Sequence, residues 1–236
     1  MGFHPGDQLI AAAANVNPHG FFEDERAIEA NEAILQALGR DWRLPLPLPD
    51  GWQDNPAIAG PRTQIRALLR AQQQQGQWLL KDPRLCLLLP LWLTELAALD
   101  IEPRIVMMYR DPDAVAQSLL VRDELPIATG LQLWLTNLLG AEHQSRTLAR
   151  YIVHYDQLVS EPAQQLAALA RWLGIDDSID QATRAIHPDA GITNPVRLNS
   201  KTCHWSLKPL HCLLRTKPGS QHPPQSMRSQ PNSTRR

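Results

Sequence analysis

Apolar positions change period along this chain, and the changes mark out its elements. Residues 104–109 (RIVMMY) form a short apolar run of the kind a strand covered on both faces shows. A helix is predicted to start at once, with Asp111 as N-cap and Pro112 in the first turn, where its missing N–H costs nothing. The same theme occurs earlier. Residues 77–80 read as a short strand, Lys81-Asp82-Pro83-Arg84 follows, and residues 85–99 read as an apolar helix. Residues 151–153 predict a third strand, and a helix after Pro162 runs to Trp172, Leu173 and Gly174.

Helical spacing accounts for most of the rest. Residues 23–39 present Ile28, Ile34, Leu35 and Leu38 on one face, with Gly39 as the stop. Residues 61–75 turn Ile65, Leu68 and Leu69 inward. Residues 130–150 predict a long helix with Leu131, Leu135, Leu138 and Leu139 on its inner side. Residues 1–20 read as loop, with the turn signal NPHG at 17–20, and residues 41–61 as a long connection holding five prolines and two tryptophans. Alternating strands and helices argue an α/β fold with a mainly parallel sheet and right-handed crossovers. It is expected as one domain over residues 1–189.

Beyond Ile186 the periodicity weakens. Residues 190–236 are expected to be a basic, largely disordered tail, because the last twenty residues bury too little apolar surface to offset ordering entropy. The 236 residues carry a net charge of −1, but this tail holds eight Lys/Arg and no Asp/Glu. A near-neutral whole argues against a wholesale nucleic-acid binder. Three cysteines, Cys86, Cys203 and Cys212, have no metal-type spacing, and their odd number fits a reducing cytoplasm better than a disulfide scaffold. LCLLLPLWL is too short for a membrane span and contains Pro90, and the N-terminus shows no targeting pattern. A soluble cytoplasmic protein is expected.

The two strand–cation–helix elements carry the candidate chemistry. Consecutive strands commonly lie side by side, so Lys81 and Arg110 are expected at one sheet edge, each beside a helix N-terminus that favours anions. Ser118 lies with Ala114 and Arg122 on one side of the following helix. A phosphate fits such a site, with each charge-assisted bond worth about 1.5–3 kcal/mol. The plainer alternative is that Asp-Pro starts helices and the two cations pair with surface carboxylates.

The segments LLKDPRLCLLLPLW, RIVMMYRDPDAVAQSL and IVHYDQLVSEPAQQLAALARWLGI, in this order and spacing, resemble the sulfotransferases, especially bacterial members. NPHGFFED and the tryptophans after it are similar too, so the resemblance spans roughly residues 1–188. It implies a P-loop-like three-layer α/β sandwich. It also implies transfer of a sulfuryl group from 3′-phosphoadenosine 5′-phosphosulfate to a hydroxyl or amine, on a saccharide or small metabolite, with no metal. Arg110 and Ser118 match the family's 3′-phosphate motif, Tyr155 its adenine-side tyrosine, and Lys81 the lysine that reaches the bridging and transferred oxygens. Some members use a histidine base just after that lysine, where this chain has Asp82, Pro83 and Arg84. Glycan-type members use an early glutamate, which Glu23 resembles; its other reading is a carboxylate favouring a helix N-terminus. His154 reads as a core histidine.

The family's Gly/Ser/Thr-rich loop, which holds the 5′-phosphosulfate, would lie just upstream of GFHPGD, so the sheet is expected to lack its first, central strand. A mis-started or truncated gene product with a frame-disturbed C-terminus is the expectation that follows. The alternative function is therefore an inactive remnant that binds adenosine 3′,5′-bisphosphate or acts as an interaction module. A basic-tailed protein contacting nucleic acid or acidic surfaces is weaker still, since its cations lack aromatic interleaving. Nothing in the pattern specifies the oligomeric state.

Overall fold

A computed structural model describes residues 2–11, 21–175 and 211–215, together with Thr183 and Ile186. Its class is α/β, with seven α-helices and a four-stranded sheet among the described residues. Helix α1 spans Glu25–Ala37 and α2 Ala59–Gln73. Strand β1 (Trp78–Lys81) leads into α3 (Leu85–Ala97), and β2 (Arg104–Tyr109) into α4 (Pro112–Asp123). Then come α5 (Ile127–Ser145), β3 (Arg150–His154), α6 (Tyr155–Ser160), α7 (Pro162–Leu173) and β4 (His211–Arg215).

Local chemistry explains the boundaries that matter. Asp111 caps α4 as expected, its carboxylate accepting from the Ala114 N–H at 2.9 Å, with Pro112 at the first position. Asp24 does the same for α1, accepting from the Arg26 N–H at 3.0 Å. Helix α3 is apolar nearly all round and is buried accordingly, from Leu85 and Cys86 to Leu96, despite carrying Pro90. Helix α7 begins on Pro162 and stops at Gly174, whose φ of 70° closes the helix.

The sheet order is β1-β4-β2-β3. Strands β2 and β3 pair in parallel, with Tyr109 opposite His154. Strand β4 runs antiparallel to both its neighbours, with Cys212 opposite Lys81 on one side and Val106 on the other. Three strands therefore share one direction and β4 opposes them. This corrects the expectation that β1 and β2 are neighbours: β4 lies between them and satisfies the backbone groups on their facing edges, which would otherwise be orphaned. It also shows that the region read as a largely disordered tail supplies a strand. The remainder of that region, the expected boundary at 189/190 and the turn at 17–20 fall outside the described residues. On the outer edge of β1, His4 forms a parallel bridge with Trp78.

Successive residues of β2 point to opposite faces. Ile105 and Met107 join the main core with α1, α2, α3 and β1, around Ile34, Leu69, Trp78, Leu88 and Trp92. Val106 joins Val153 and Leu173 on the other face, where α7 packs. Helix α5 corrects a second expectation. Its buried face is Gly130, Leu133, Asn137, Ala141 and Ser145, while Leu135 and Leu139 are 49% and 57% exposed. Close approach explains the choice: a Cβ on Gly130 would lie 2.9 Å from Ala116 Cα, and one on Gly140 3.0 Å from the Cys86 carbonyl oxygen. Small residues let α5 press onto α4 and α3, and that contact turns Leu135 and Leu139 outward, while Leu138 packs against the main core as expected.

No helix among the described residues is long and apolar enough to cross a membrane.

Candidate functional site

The strand ends carry two clusters. The first is built on Lys81, the last residue of β1, which is buried. Its ammonium donates to Glu23 Oε1 at 2.8 Å and to the Phe21 carbonyl at 2.7 Å. Glu23 is buried as well and sits just ahead of the α1 N-cap, with its own carbonyl accepting from the Ile10 N–H at 3.0 Å. Burial pushes the Glu23 carboxyl above its ordinary value of 4.5; Lys81 pulls it down, and the neighbouring Asp82 pushes it up again. A carboxylate with a raised pKa is a better proton acceptor than a free one.

Behind this pair lies a polar network that reaches from α1 to α3. Asp82 is fully buried and accepts from Asn31 Nδ2 at 2.9 Å, from the Arg84 N–H at 2.8 Å and from Arg84 Nη1 at 3.0 Å. Asn31 Oδ1 in turn accepts from Trp92 Nε1 at 2.9 Å. Arg84 also bonds Glu32 on α1. Each buried carboxylate oxygen of Asp82 thus has a donor, as a buried charge requires. The network fastens α1, and with it the Glu23 segment, to the turn that follows Lys81.

The second cluster sits where β2 and β3 end. Arg110 leaves β2 just ahead of α4 and is buried, with its guanidinium carbon 4.5 Å from the centre of the Tyr155 ring. The Arg110 carbonyl accepts from Trp134 Nε1 at 3.0 Å, which ties this turn to α5. Tyr109 packs edge-on to Trp134 at 5.9 Å and against His154 at 5.2 Å. Tyr155 opens α6 directly after β3, and its buried hydroxyl has no hydrogen-bond partner among the described residues. Burial raises the pKa of that hydroxyl, with Arg110 acting the other way. Ser118 lies on the buried face of α4, beside Val115 and Leu119.

The structure therefore brings Lys81 together with Glu23, and Arg110 together with Tyr155. The two pairs are apart. Lys81 is level with Val106 across β4, and Arg110 is four residues farther on, so their backbones are separated by about 13 Å along the strands and about 9.6 Å across them.

Sequence reasoning missed Asn31, Trp92 and Trp134. Asn31 did carry a signal, being a polar residue three positions from both Ile28 and Ile34 on the apolar face of α1. Trp134 carried none, because its role depends on where α5 lies. His154, read as a core histidine, is exposed on the described surface. The described residues hold no group of three or more His, Cys, Asp or Glu placed for a metal ion. No protein-family model matches this chain, and no curated protein or solved structure matches it.

Proposed function

We propose that this protein binds an adenosine 3′-phosphate donor at the β2–α4 turn and transfers the donor's sulfuryl group at the end of β1. The fold we propose is a P-loop-like α/β sandwich of the sulfotransferase kind. One observation carries the reading: Arg110, at the carboxyl end of a strand and before a capped helix, stacks on Tyr155 from the adjacent parallel strand's end. In α/β sheets this edge is where nucleotides bind. A guanidinium packed against a ring has its plane fixed, and its planar fork of N–H donors is the shape that phosphate oxygens match. Ser118, on α4, is the second phosphate residue of the proposal and Tyr155 the adenine-side residue.

In the proposed reaction the acceptor hydroxyl oxygen attacks sulfur of 3′-phosphoadenosine 5′-phosphosulfate. A new S–O bond forms as the bond from sulfur to the bridging phosphate oxygen breaks. The proton of the hydroxyl passes to the Glu23 carboxylate, and adenosine 3′,5′-bisphosphate leaves. Lys81 stabilises the charge growing on the bridging oxygen. Its 2.8 Å bond to Glu23 keeps the base and the charge-stabilising ammonium in one place. The acceptor is a saccharide or small metabolite bearing a hydroxyl or amine, and the setting is the cytoplasm, where the buried Cys86 thiol stays reduced.

A second reading is favoured by a separate observation. Strand β4, antiparallel to its neighbours, fills the position between β1 and β2, and Lys81 is engaged by a carboxylate and a carbonyl. A chain of this build fits a binder of adenosine 3′,5′-bisphosphate without turnover. Calorimetric titration of the purified chain with that nucleotide, beside Arg110→Ala, tests both. Binding that weakens by about 1.5–3 kcal/mol in the variant supports the site. Turnover of the donor with an acceptor then separates enzyme from binder. Absence of wild-type binding would sink both readings.

A further inference from the structure

Three non-glycine residues have left-handed backbones among the described residues: Phe22 (φ 54°), Asp100 (φ 56°) and Glu124 (φ 57°). Asp100 follows α3, and Glu124 caps the C-terminus of α4. Helix ends commonly use that conformation. Phe22 ends no helix. It is a bulky residue in a region that such residues rarely enter, and its side chain is 42% exposed.

Its neighbours explain the cost. The Phe21 carbonyl accepts from Lys81 Nζ at 2.7 Å, and Glu23 Oε1 accepts from the same nitrogen at 2.8 Å. Glu23 is pinned from behind, its carbonyl holding the Ile10 N–H at 3.0 Å, while Asp24 caps α1 and bridges Leu9. The chain must therefore turn within one residue if a backbone oxygen before it and a carboxylate after it are to meet one ammonium. An extended Phe22 would carry the two oxygens apart.

We propose that Phe22 is a positioning residue that acts through its backbone: its left-handed turn closes Phe21 and Glu23 as a clasp on Lys81. The clasp holds the lysine's position and leaves one of its three N–H groups for a ligand oxygen. Its catalytic meaning rests on the sulfuryl-transfer reading above, whereas its existence does not. A backbone role makes a distinctive demand on substitutions. Glycine and asparagine enter the left-handed region readily, alanine less so, and β-branched valine least. A side-chain role would instead make glycine the most damaging change.

The test is competitive acetylation of the intact chain with limiting acetic anhydride, read by mass spectrometry of the peptide holding Lys81. Free Nα-acetyl-lysine added to the solution serves as the reference amine. In the wild type Lys81 should react far more slowly than this reference, because its side chain is buried. Phe22→Gly and Phe22→Asn should keep it slow. Phe22→Val should raise its relative rate by roughly ten-fold, the ratio that about 1.4 kcal/mol of added strain produces. Should the valine variant lose its cooperative thermal transition, Phe22→Ala against Phe22→Gly decides, with alanine expected to be the faster. Equal acceleration in the glycine and valine variants, or none in either valine or alanine, overturns the proposal. Failure of the wild type to bind adenosine 3′,5′-bisphosphate bears on the sulfuryl-transfer reading alone, because the acetylation ratios need no ligand.

Discussion

Removing the two halves of the Lys81–Glu23 pair should have unequal consequences. Both side chains are buried, so Lys81→Met leaves the Glu23 carboxylate without its cation and beside the buried Asp82. Stripping one partner from a buried pair typically costs about 3–5 kcal/mol. For a chain of this size that is roughly a 10–15 °C fall in Tm. Glu23→Gln is milder. It leaves Lys81 an amide oxygen and the Phe21 carbonyl as acceptors, and it removes a carboxylate that burial and the neighbouring Asp82 disfavour by more than Lys81 and Arg84 return, as its raised pKa indicates. A loss of about 1–2 kcal/mol is expected, the scale of one altered hydrogen bond to a charged group.

The pH dependence follows from the same shift. A carboxyl with a folded pKa above its unfolded one binds its proton more tightly in the folded chain. Its contribution to stability is complete below the unfolded value, near 4.5, and is lost as pH climbs through the raised folded value. Without Lys81 the carboxyl rises further, so the penalty of Lys81→Met should shrink on acidification as Glu23 becomes neutral. Urea unfolding followed by tryptophan fluorescence, at pH 7 and near pH 4.5, reads both variants against the wild type. Equal losses in the two variants at pH 7, or a Lys81→Met penalty that does not change with pH, would refute the reasoning.

Other outcomes follow from the packing around the site. Asn31→Leu removes partners of both Asp82 and Trp92 Nε1, and two buried groups left unsatisfied should cost roughly 2–5 kcal/mol by urea titration. A nearly unchanged midpoint would mean that the network does not anchor α1. Gly130→Ala drives a methyl group to 2.9 Å from Ala116 Cα, and overpacking of the α4–α5 contact should cost about 1–3 kcal/mol in a thermal melt. Leu213→Pro removes an N–H from the middle of β4, at the residue paired with both Leu80 and Ile105. A proline in an interior strand should disrupt the whole sheet, read as loss of cooperative unfolding. A wild-type-like transition would show that β4 is dispensable to it.

Local chemistry made much of this molecule legible. Helix α4 and strand β2 could be read because an apolar run, an Asp cap and a first-turn proline all act within a few residues. The same holds for β1 with Lys81 and for the inward faces of α1 and α2, where Ile34, Leu35, Ile65 and Leu69 are buried as their spacing required. These features depend on backbone geometry and on the period of a helix or strand, which a sequence carries by itself.

What tertiary structure decided is of another kind. Leu135 and Leu139 read as part of a core face, yet α5 turns them outward because Gly130 and Gly140 permit a closer approach to its neighbours. Strand β4 carries only a short apolar run at 212–214, too brief to specify a strand by itself, and it becomes one because β1 and β2 present edges that only a third backbone can satisfy. The partners of Lys81 and Arg110 are likewise set by approach. Glu23 stands 58 residues from the lysine it holds, and Tyr155 reaches Arg110 from the end of a neighbouring strand. Sequence determines which residues are able to form such contacts; the close packing of remote segments selects the ones that form, because burial turns each weak polar preference into a requirement.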